Sequence, residues 1–188
     1  MSKLFFYDLE TTGVDYRQSG IHQISGMILI DGKIRERFNF RVCPHEKSLF
    51  EEEALQVCGV TKEQVISYPS MKEVYNSLVQ ILSKYVDKFD SKDKFHLAGY
   101  NISAFDNFFL RTFFIQCEDY YFGSWFWPDC IDCYVLASNK LKEIRPTLPD
   151  FKQKTVAKHL GVEIDNERLH DAEYDIYLAL QIYLKVKD

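Results

Sequence analysis

The chain has 188 residues, 46% apolar and 15% aromatic, which suits one domain spanning residues 1–188 with a sizeable buried core. A composition this rich in Phe and Tyr excludes a disordered or low-complexity protein. The net charge of −5 argues against a protein that holds nucleic acid through bulk positive charge.

The first half of the chain predicts three strands followed by helices. Residues 3–9 form a short apolar run typical of a buried strand. Residues 21–30 and 33–42 flank Asp31-Gly32, and this dipeptide between two apolar runs is a strong hairpin signal. A short helix is expected at 51–57 and a longer one at 70–86, where apolar residues recur at helical spacing.

The second half predicts an alternation of strand and helix. Residues 95–99 indicate a buried strand, and a helix begins near Ser103, which we interpret as its N-cap. Residues 131–138 fit either a strand end or a helix, whereas 152–160 and 171–186 indicate helices. This order predicts an α/β fold, a mixed sheet with helices on both faces.

Neither end of the chain predicts a membrane or secretory segment. The N-terminal apolar run is interrupted by Asp8 and Glu10, and no run approaches the ~18 apolar residues of a membrane span. Five cysteines form no regular framework, which indicates reduced thiols and a cytoplasmic location. Cys130 and Cys133 form a single C-x-x-C pair, for which a structural role is favoured over zinc binding.

Three short motifs carry candidate site residues. Asp8 and Glu10 share one face at the end of the first strand and have room for a hard cation between them, or they are simply a polar strand end. Asp106 lies in a first helical turn, where the helix dipole alone explains an acid. Asp175 lies on a small, apolar helix stripe with no Lys or Arg at i±3 or i±4, so a metal ion is its natural partner.

The motifs together resemble those of the DEDDh (DnaQ-like) 3′→5′ exonucleases, which have a ribonuclease H-like fold. The matching residues are Asp8, Glu10, Thr12 and Gly13; Asn101, Phe105 and Asp106; and His170, Ala172 and Asp175. The likeness runs from about residue 3 to residue 184. Two departures, Gln23 and Tyr100 in place of the frequent Glu and His, bear on substrate preference.

The resemblance implies a five-stranded mixed sheet, with three antiparallel N-terminal strands and then parallel strands. It also implies a two-metal-ion hydrolysis of nucleic acid 3′ ends. Two Mg²⁺ or Mn²⁺ ions would be held by Asp8, Glu10, Asp106 and Asp175, and His170 would deprotonate the attacking water. Leu9 and Phe105 would wedge the terminal bases, and Thr11 and Thr12 would meet the 3′ end. The products would be nucleoside 5′-monophosphates from single-stranded or frayed DNA.

Three matters stay open at this point. The enzyme could instead trim RNA ends, and the chain could be a non-catalytic nuclease-fold module that binds nucleic acid or a polymerase. A replication or repair partner and either a bacterial or a viral source are compatible with the sequence. The oligomeric state is not predicted.

Charge and aromatic residues are unevenly distributed. Residues 139–158 carry six basic side chains against two acids, and we expect Arg145, Lys152 and Lys154 to contact substrate phosphates, the alternative being a solvated helix face. Asn101 is placed with the substrate contacts by the resemblance. Residues 120–127 hold six aromatics, which either stack on bases or, as we favour, form a hydrophobic cover.

Overall fold

The computed structural model describes residues 2–165 and 172–187. Five strands form one sheet in the order β3-β2-β1-β4-β5. β1, β2 and β3 are antiparallel neighbours, and β4 and β5 run parallel to β1. The predicted mixed sheet, three antiparallel strands followed by parallel ones, is therefore confirmed. The strands are β1 Lys3–Thr11, β2 Ile21–Ile30, β3 Lys33–Arg41, β4 Phe95–Gly99 and β5 Phe126–Asp132.

Helices lie between and after the strands of the described chain. They are α1 Glu52–Val57, α2 Lys62–Ile66, α3 Met71–Ser83, α4 Asp106–Gln116, α5 Phe122–Trp125, α6 Cys133–Lys140, a 3-10 turn at Arg145–Thr147, α7 Gln153–His159 and α8 Ala172–Val186. None of the described helices is long and apolar enough to cross a membrane.

Alternation along β1 divides the core between the two faces of the sheet. Phe5, Tyr7 and Leu9 point into a cluster that includes side chains of α3 and α4. Leu4 and Phe6 point the other way, into a cluster formed with α6, α7 and α8. Helices therefore cover both faces, as predicted, and the even-numbered residues of β1 face α8.

The hairpin between β2 and β3 has the turn chemistry that its sequence indicates. Asp31 and Gly32 both have positive φ, 49° and 75°. Two consecutive residues of this kind match the twist of antiparallel strands.

Some predicted boundaries are wrong for reasons that lie outside the local sequence. Helix α4 begins at Asp106, and Ser103 is not its N-cap, because Asp132 accepts hydrogen bonds from both the Ser103 amide and its hydroxyl. The ambiguous segment 131–138 contains both structures, since β5 ends at Asp132 and α6 begins at Cys133. Helix α2 and most of β5 were not predicted.

Candidate active site

The two carboxylates of β1 lie beside an irregularity in the sheet. Asp8 pairs with Ser25 and Glu10 with Gln23, but Thr11 pairs with Ile21, so His22 is the extra residue of a bulge. Bulges often occur next to active sites, where they redirect side chains. Asp8 and Glu10 are each half-buried and lie on the face of the sheet that α8 covers.

Asp106 is bound to the backbone of β1 between these two acids. The Leu9 amide donates a hydrogen bond to Oδ1 of Asp106 at 3.2 Å. Strand β4 pairs with β1 only as far as Phe6, so the Asp106 side chain takes the place that a continuing strand would fill. Helix α4 thus begins at the point where its first carboxylate meets β1.

The acids affect one another electrostatically. Burial raises the pKa of Asp8 well above its ordinary range, and the charges of Asp106, Glu10 and Asp175 raise it further. Burial likewise raises the pKa of Asp106 to about 7, against the opposing effect of the amides that bind it. Four carboxylates from β1, α4 and α8 therefore share one region, where ionising them all requires compensating positive charge.

The donor set suits a hard divalent cation, because carboxylate oxygens are the ligands that Mg²⁺ and Mn²⁺ prefer. Among the described residues, no three His, Cys, Asp or Glu side chains already form a preassembled metal site.

His170, the predicted base, lies outside the described residues, as does the predicted capping residue Asp171.

The backbone of Asp175 is hydrogen-bonded to the first residue of helix α7. The Gln153 side-chain amide donates a hydrogen bond to the Asp175 backbone carbonyl, and the Asp175 side chain is half-buried. This contact joins the N-terminus of α7 to the turn of α8 that carries the fourth acid.

Asp132 is a buried acid whose role the sequence reasoning missed. One oxygen, Oδ1, accepts from the Asn101 amide at 2.8 Å and the Tyr134 amide at 2.9 Å. The other, Oδ2, accepts from the Ser103 amide at 2.9 Å and from its hydroxyl. Asp132 therefore holds the loop that leads to Asp106. The sequence signal that could have indicated this role is an Asp at the junction between a strand and a helix.

Cys58 is the second residue that sequence reasoning missed. Its thiol donates a hydrogen bond to Oε2 of Glu10 at 3.0 Å, from the C-terminal end of α1. Burial, followed by the Glu10 contact, raises the pKa of this thiol. No local pattern could have linked two residues 48 positions apart.

The residues predicted to contact the 3′ end lie beside the acids in sequence, but they differ in how freely they could contact a substrate. Leu9 is buried, and the Phe105 ring is half-buried with its centroid 4.9 Å from that of Phe109. The Thr11 hydroxyl donates to the Gly13 carbonyl at 2.8 Å. The Thr12 hydroxyl and amide are both engaged inside the protein, so contact with a substrate would require these bonds to be given up.

The basic segment is divided between packed and exposed cations. The Arg145 guanidinium lies over the rings of Phe151 and Tyr134, at 4.3 and 5.2 Å, and donates to the hydroxyls of Tyr134 and Ser138. Arg145 is therefore largely engaged in packing. Lys152 and Lys154 are exposed.

A cavity of about 430 Å³ places one of these lysines next to the second motif. Its lining includes Asn101, Lys152 and Gln153 together with the rings of Tyr100 and Phe151. Asn101 adopts a positive φ of 62°, a conformation that Asn tolerates well. Two of the predicted substrate contacts, Asn101 and Lys152, thus line the same cavity.

The aromatic segment 120–127 lies at the opposite end of the sheet. Phe126 pairs with Phe95 at the start of β4, whereas the acids cluster near the end of that strand. Phe122, Trp125 and Phe126 are buried in the core, and Tyr120 and Tyr121 are exposed. The favoured interpretation, a hydrophobic cover, agrees with the burial of Phe122, Trp125 and Phe126 but not with the exposure of the two tyrosines.

Comparison with known proteins finds one matching family model and two curated relatives. A family model described as "Exonuclease" (RNase_T) matches residues 5–183. Two curated relatives are named "DNA polymerase III PolC-type". The one from Mycoplasmopsis pulmonis is 24% identical over 178 residues, and the one from Clostridium perfringens is 26% identical over 184 residues. The matched regions cover 95% and 97% of this chain but only 11% of each relative.

Solved structures share the fold at low identity. E. coli Exonuclease I in complex with a dT13 oligonucleotide superposes with a TM-score of 0.75 at 19% identity. The match covers 100% of this chain and 42% of that one. A likeness at this identity establishes the fold.

Proposed function

The chain belongs to the exonuclease family of DnaQ-like, ribonuclease H-like proteins, and from this premise we propose that residues 1–188 form a DEDDh-type, metal-dependent 3′→5′ exonuclease. Its substrate is the 3′ end of single-stranded or frayed DNA, and its products are nucleoside 5′-monophosphates.

The mutual effect of the four acids carries this proposal. Burial raises the pKa of Asp8, and the charges of three neighbouring carboxylates raise it further, an arrangement that is unfavourable without a cation. Two Mg²⁺ or Mn²⁺ ions held by Asp8, Glu10, Asp106 and Asp175 would supply a nucleophilic water and charge stabilisation at the departing 3′ oxygen. Two such ions add four positive charges to a chain of net charge −5, where a phosphate must bind.

The other residues bind, orient or transfer a proton. His170 accepts the proton of the attacking water, a role for which its unperturbed pKa near 6.5 is suited. Leu9 and Phe105 hold the terminal bases, with Thr11 and Thr12 near the 3′ end. Asn101, Lys152, Lys154 and Arg145 bind the substrate backbone, with Arg145 contributing the least because its guanidinium is packed on rings.

The named relatives support DNA as the substrate class. The two curated relatives are DNA polymerases, and the E. coli enzyme binds a dT13 oligonucleotide in its structure. The same names support a replication or repair setting for this chain.

End-labelled oligonucleotides test the proposal directly. With Mg²⁺ or Mn²⁺, single-stranded DNA labelled at the 5′ end should shorten in single-nucleotide steps, and DNA labelled at the 3′ end should release a labelled mononucleotide first. EDTA should stop both reactions. Parallel RNA substrates decide between DNA and RNA trimming, and an absence of metal-dependent release from either would favour a binding module.

Variants assign the residues. Asp175→Asn should abolish release while the protein remains folded, whereas Glu46→Gln, at an exposed carboxylate, should match the parent. His170→Ala should lower the rate by about 10²–10⁴, the usual contribution of a general base. Robust cleavage by Asp175→Asn would remove the metal-ligand assignment.

A further inference from the structure

A cluster of aromatic rings leads away from the proposed site along α4. The Phe105 ring, directly before Asp106, contacts Phe109 with centroids 4.9 Å apart. Phe109 meets the edge of Tyr16 at 6.4 Å, and Tyr16 stacks on Phe108 at 5.2 Å with an interplanar angle of 21°. Four rings therefore form a continuous series from the second motif to the protein surface.

The outer end of this series is exposed and has a cation beside it. Phe108 is 44% exposed, although it lies on a helix whose next residue, Phe109, is buried. The Arg17 guanidinium lies 5.2 Å from the centre of the Tyr16 ring. An exposed ring stacked on a second ring that carries an arginine has the composition of a stacking site for nucleotide bases, with a nearby partner for phosphate.

The loop that carries Tyr16 and Arg17 is held in place by its own contacts. The Asp15 carboxylate accepts from the Arg17 amide at 3.0 Å and from the Gln18 side chain at 3.1 Å. The Ser19 amide donates to the Asp15 carbonyl at 2.8 Å. Within the described residues, the Arg17 guanidinium forms no ion pair with a carboxylate within 4 Å. Arg17 is also exposed, so its guanidinium can reach a ligand.

From this arrangement we infer that Arg17, Tyr16 and Phe108 form a binding platform for single-stranded nucleic acid. The platform receives bases on the 5′ side of the terminal nucleotides, while Phe105 and Asp106 lie at the 3′ end. Stacking explains why an apolar ring is kept exposed here, and it is tolerant of base sequence because every base has a π-face. This inference rests on the proposed function and adds to it where the rest of the substrate binds.

Oligonucleotide length is the variable that isolates the platform. Dissociation constants are measured by fluorescence anisotropy with 5′-labelled dT2 and dT8, and with the matching uridine oligomers, in Ca²⁺ to limit hydrolysis. Phe108→Ala should weaken binding of the eight-nucleotide ligands by about 5- to 140-fold, which is ~1–3 kcal/mol of stacking converted at ~1.4 kcal/mol per tenfold. Binding of dT2 should be unchanged. Phe108→Tyr, which keeps a ring, should restore affinity for dT8.

A matched control is available at the other end of the sheet. Phe89 is 87% exposed and has the Lys88 ammonium 5.3 Å from its ring, so Phe89→Ala removes a similar ring and cation pair far from the acids. The platform would be overturned if Phe108→Ala bound dT8 as tightly as the parent protein, or if Phe89→Ala weakened the binding of dT8 as much as Phe108→Ala does. If the parent protein still hydrolyses DNA with either of these results, the proposed exonuclease function survives. A parent protein that neither binds nor cleaves any oligonucleotide would overturn both the platform and the proposed function.

Discussion

The carboxylate of Asp132 offers the sharpest test of how the candidate site is built. It is only 5% exposed and accepts three backbone amides and one hydroxyl from residues 101, 103 and 134. Asp132→Asn keeps the shape of the side chain but replaces one accepting oxygen with an NH₂ group. The new group would face an amide donor that has no other partner in this loop.

The cost can be worked out bond by bond. The Ser103 hydroxyl can rotate to accept from the new NH₂ group, but the Ser103 amide is left unsatisfied, at about 1–3 kcal/mol for a buried donor. The two bonds to Oδ1 change from charged to neutral, each losing about 1 kcal/mol. We therefore expect Asp132→Asn to lower the free energy of unfolding by roughly 3–5 kcal/mol.

Urea unfolding at pH 7 measures this change in the free energy of unfolding. The dependence on urea concentration should be the same for parent and variant if both unfold in two states. The control is Asp129→Asn, three residues earlier, where the side chain is 72% exposed and its neighbour is His96 at 3.5 Å. That substitution should shift stability by less than about 0.5 kcal/mol. A loss below about 1 kcal/mol for Asp132→Asn would refute the view that this carboxylate organises the loop.

Three further outcomes are expected. Burial and a nearby arginine lower the pKa of His22 to about 4, so the unfolded chain binds the extra proton first as the pH falls. Stability should therefore drop by about 3 kcal/mol between pH 7 and pH 4, and urea titrations of His22→Leu should lack this part of the slope. Gly26→Ala would place a Cβ 2.3 Å from the Phe38 ring and 2.7 Å from a backbone oxygen, costing about 1–3 kcal/mol by thermal unfolding, unlike Gly123→Ala in open space. In EDTA at pH 8, Asp8→Asn should raise the melting temperature, because the raised pKa of Asp8 means that ionising it costs stability as the pH rises; a decrease would contradict this.

Elements whose pattern is local were predictable from the sequence. The bounds of β2 and β4 agree with prediction, because strand periodicity and the Asp31-Gly32 turn are encoded by neighbouring residues. The start of α4 was not predictable in this way. Ser103 has the chemistry of an N-cap, but Asp132 lies 29 positions away and takes both of its donors.

In the candidate site, too, features set by local sequence were predictable, and contacts between distant residues were not. The sequence indicated four acids, and the pKa of Asp8, which burial raises most, is raised further by the charges of the other three. It did not reveal that Cys58 binds Glu10 or that Arg145 is packed on Tyr134 and Phe151, because each contact depends on tertiary packing. Positive charge along a sequence does not say which cations remain available to a ligand.

Neutralising Asp132 and neutralising Asp8 are expected to change the stability of the protein in opposite directions. This difference distinguishes an acid that supports the fold from one that the proposed reaction requires. Asp8 lies near the end of β1 and Asp132 at the end of β5, two parallel strands with β4 between them, and Asp132 contributes to the raised pKa of Asp106. Four donors meet Asp132, so its negative charge stabilises the fold and neutralising it should cost stability. Burial and other acids dominate the surroundings of Asp8, so neutralising it should relieve repulsion. A buried acid whose charge opposes folding needs a reason outside the fold, and binding a cation at the proposed phosphodiester-cleaving site would be a sufficient one.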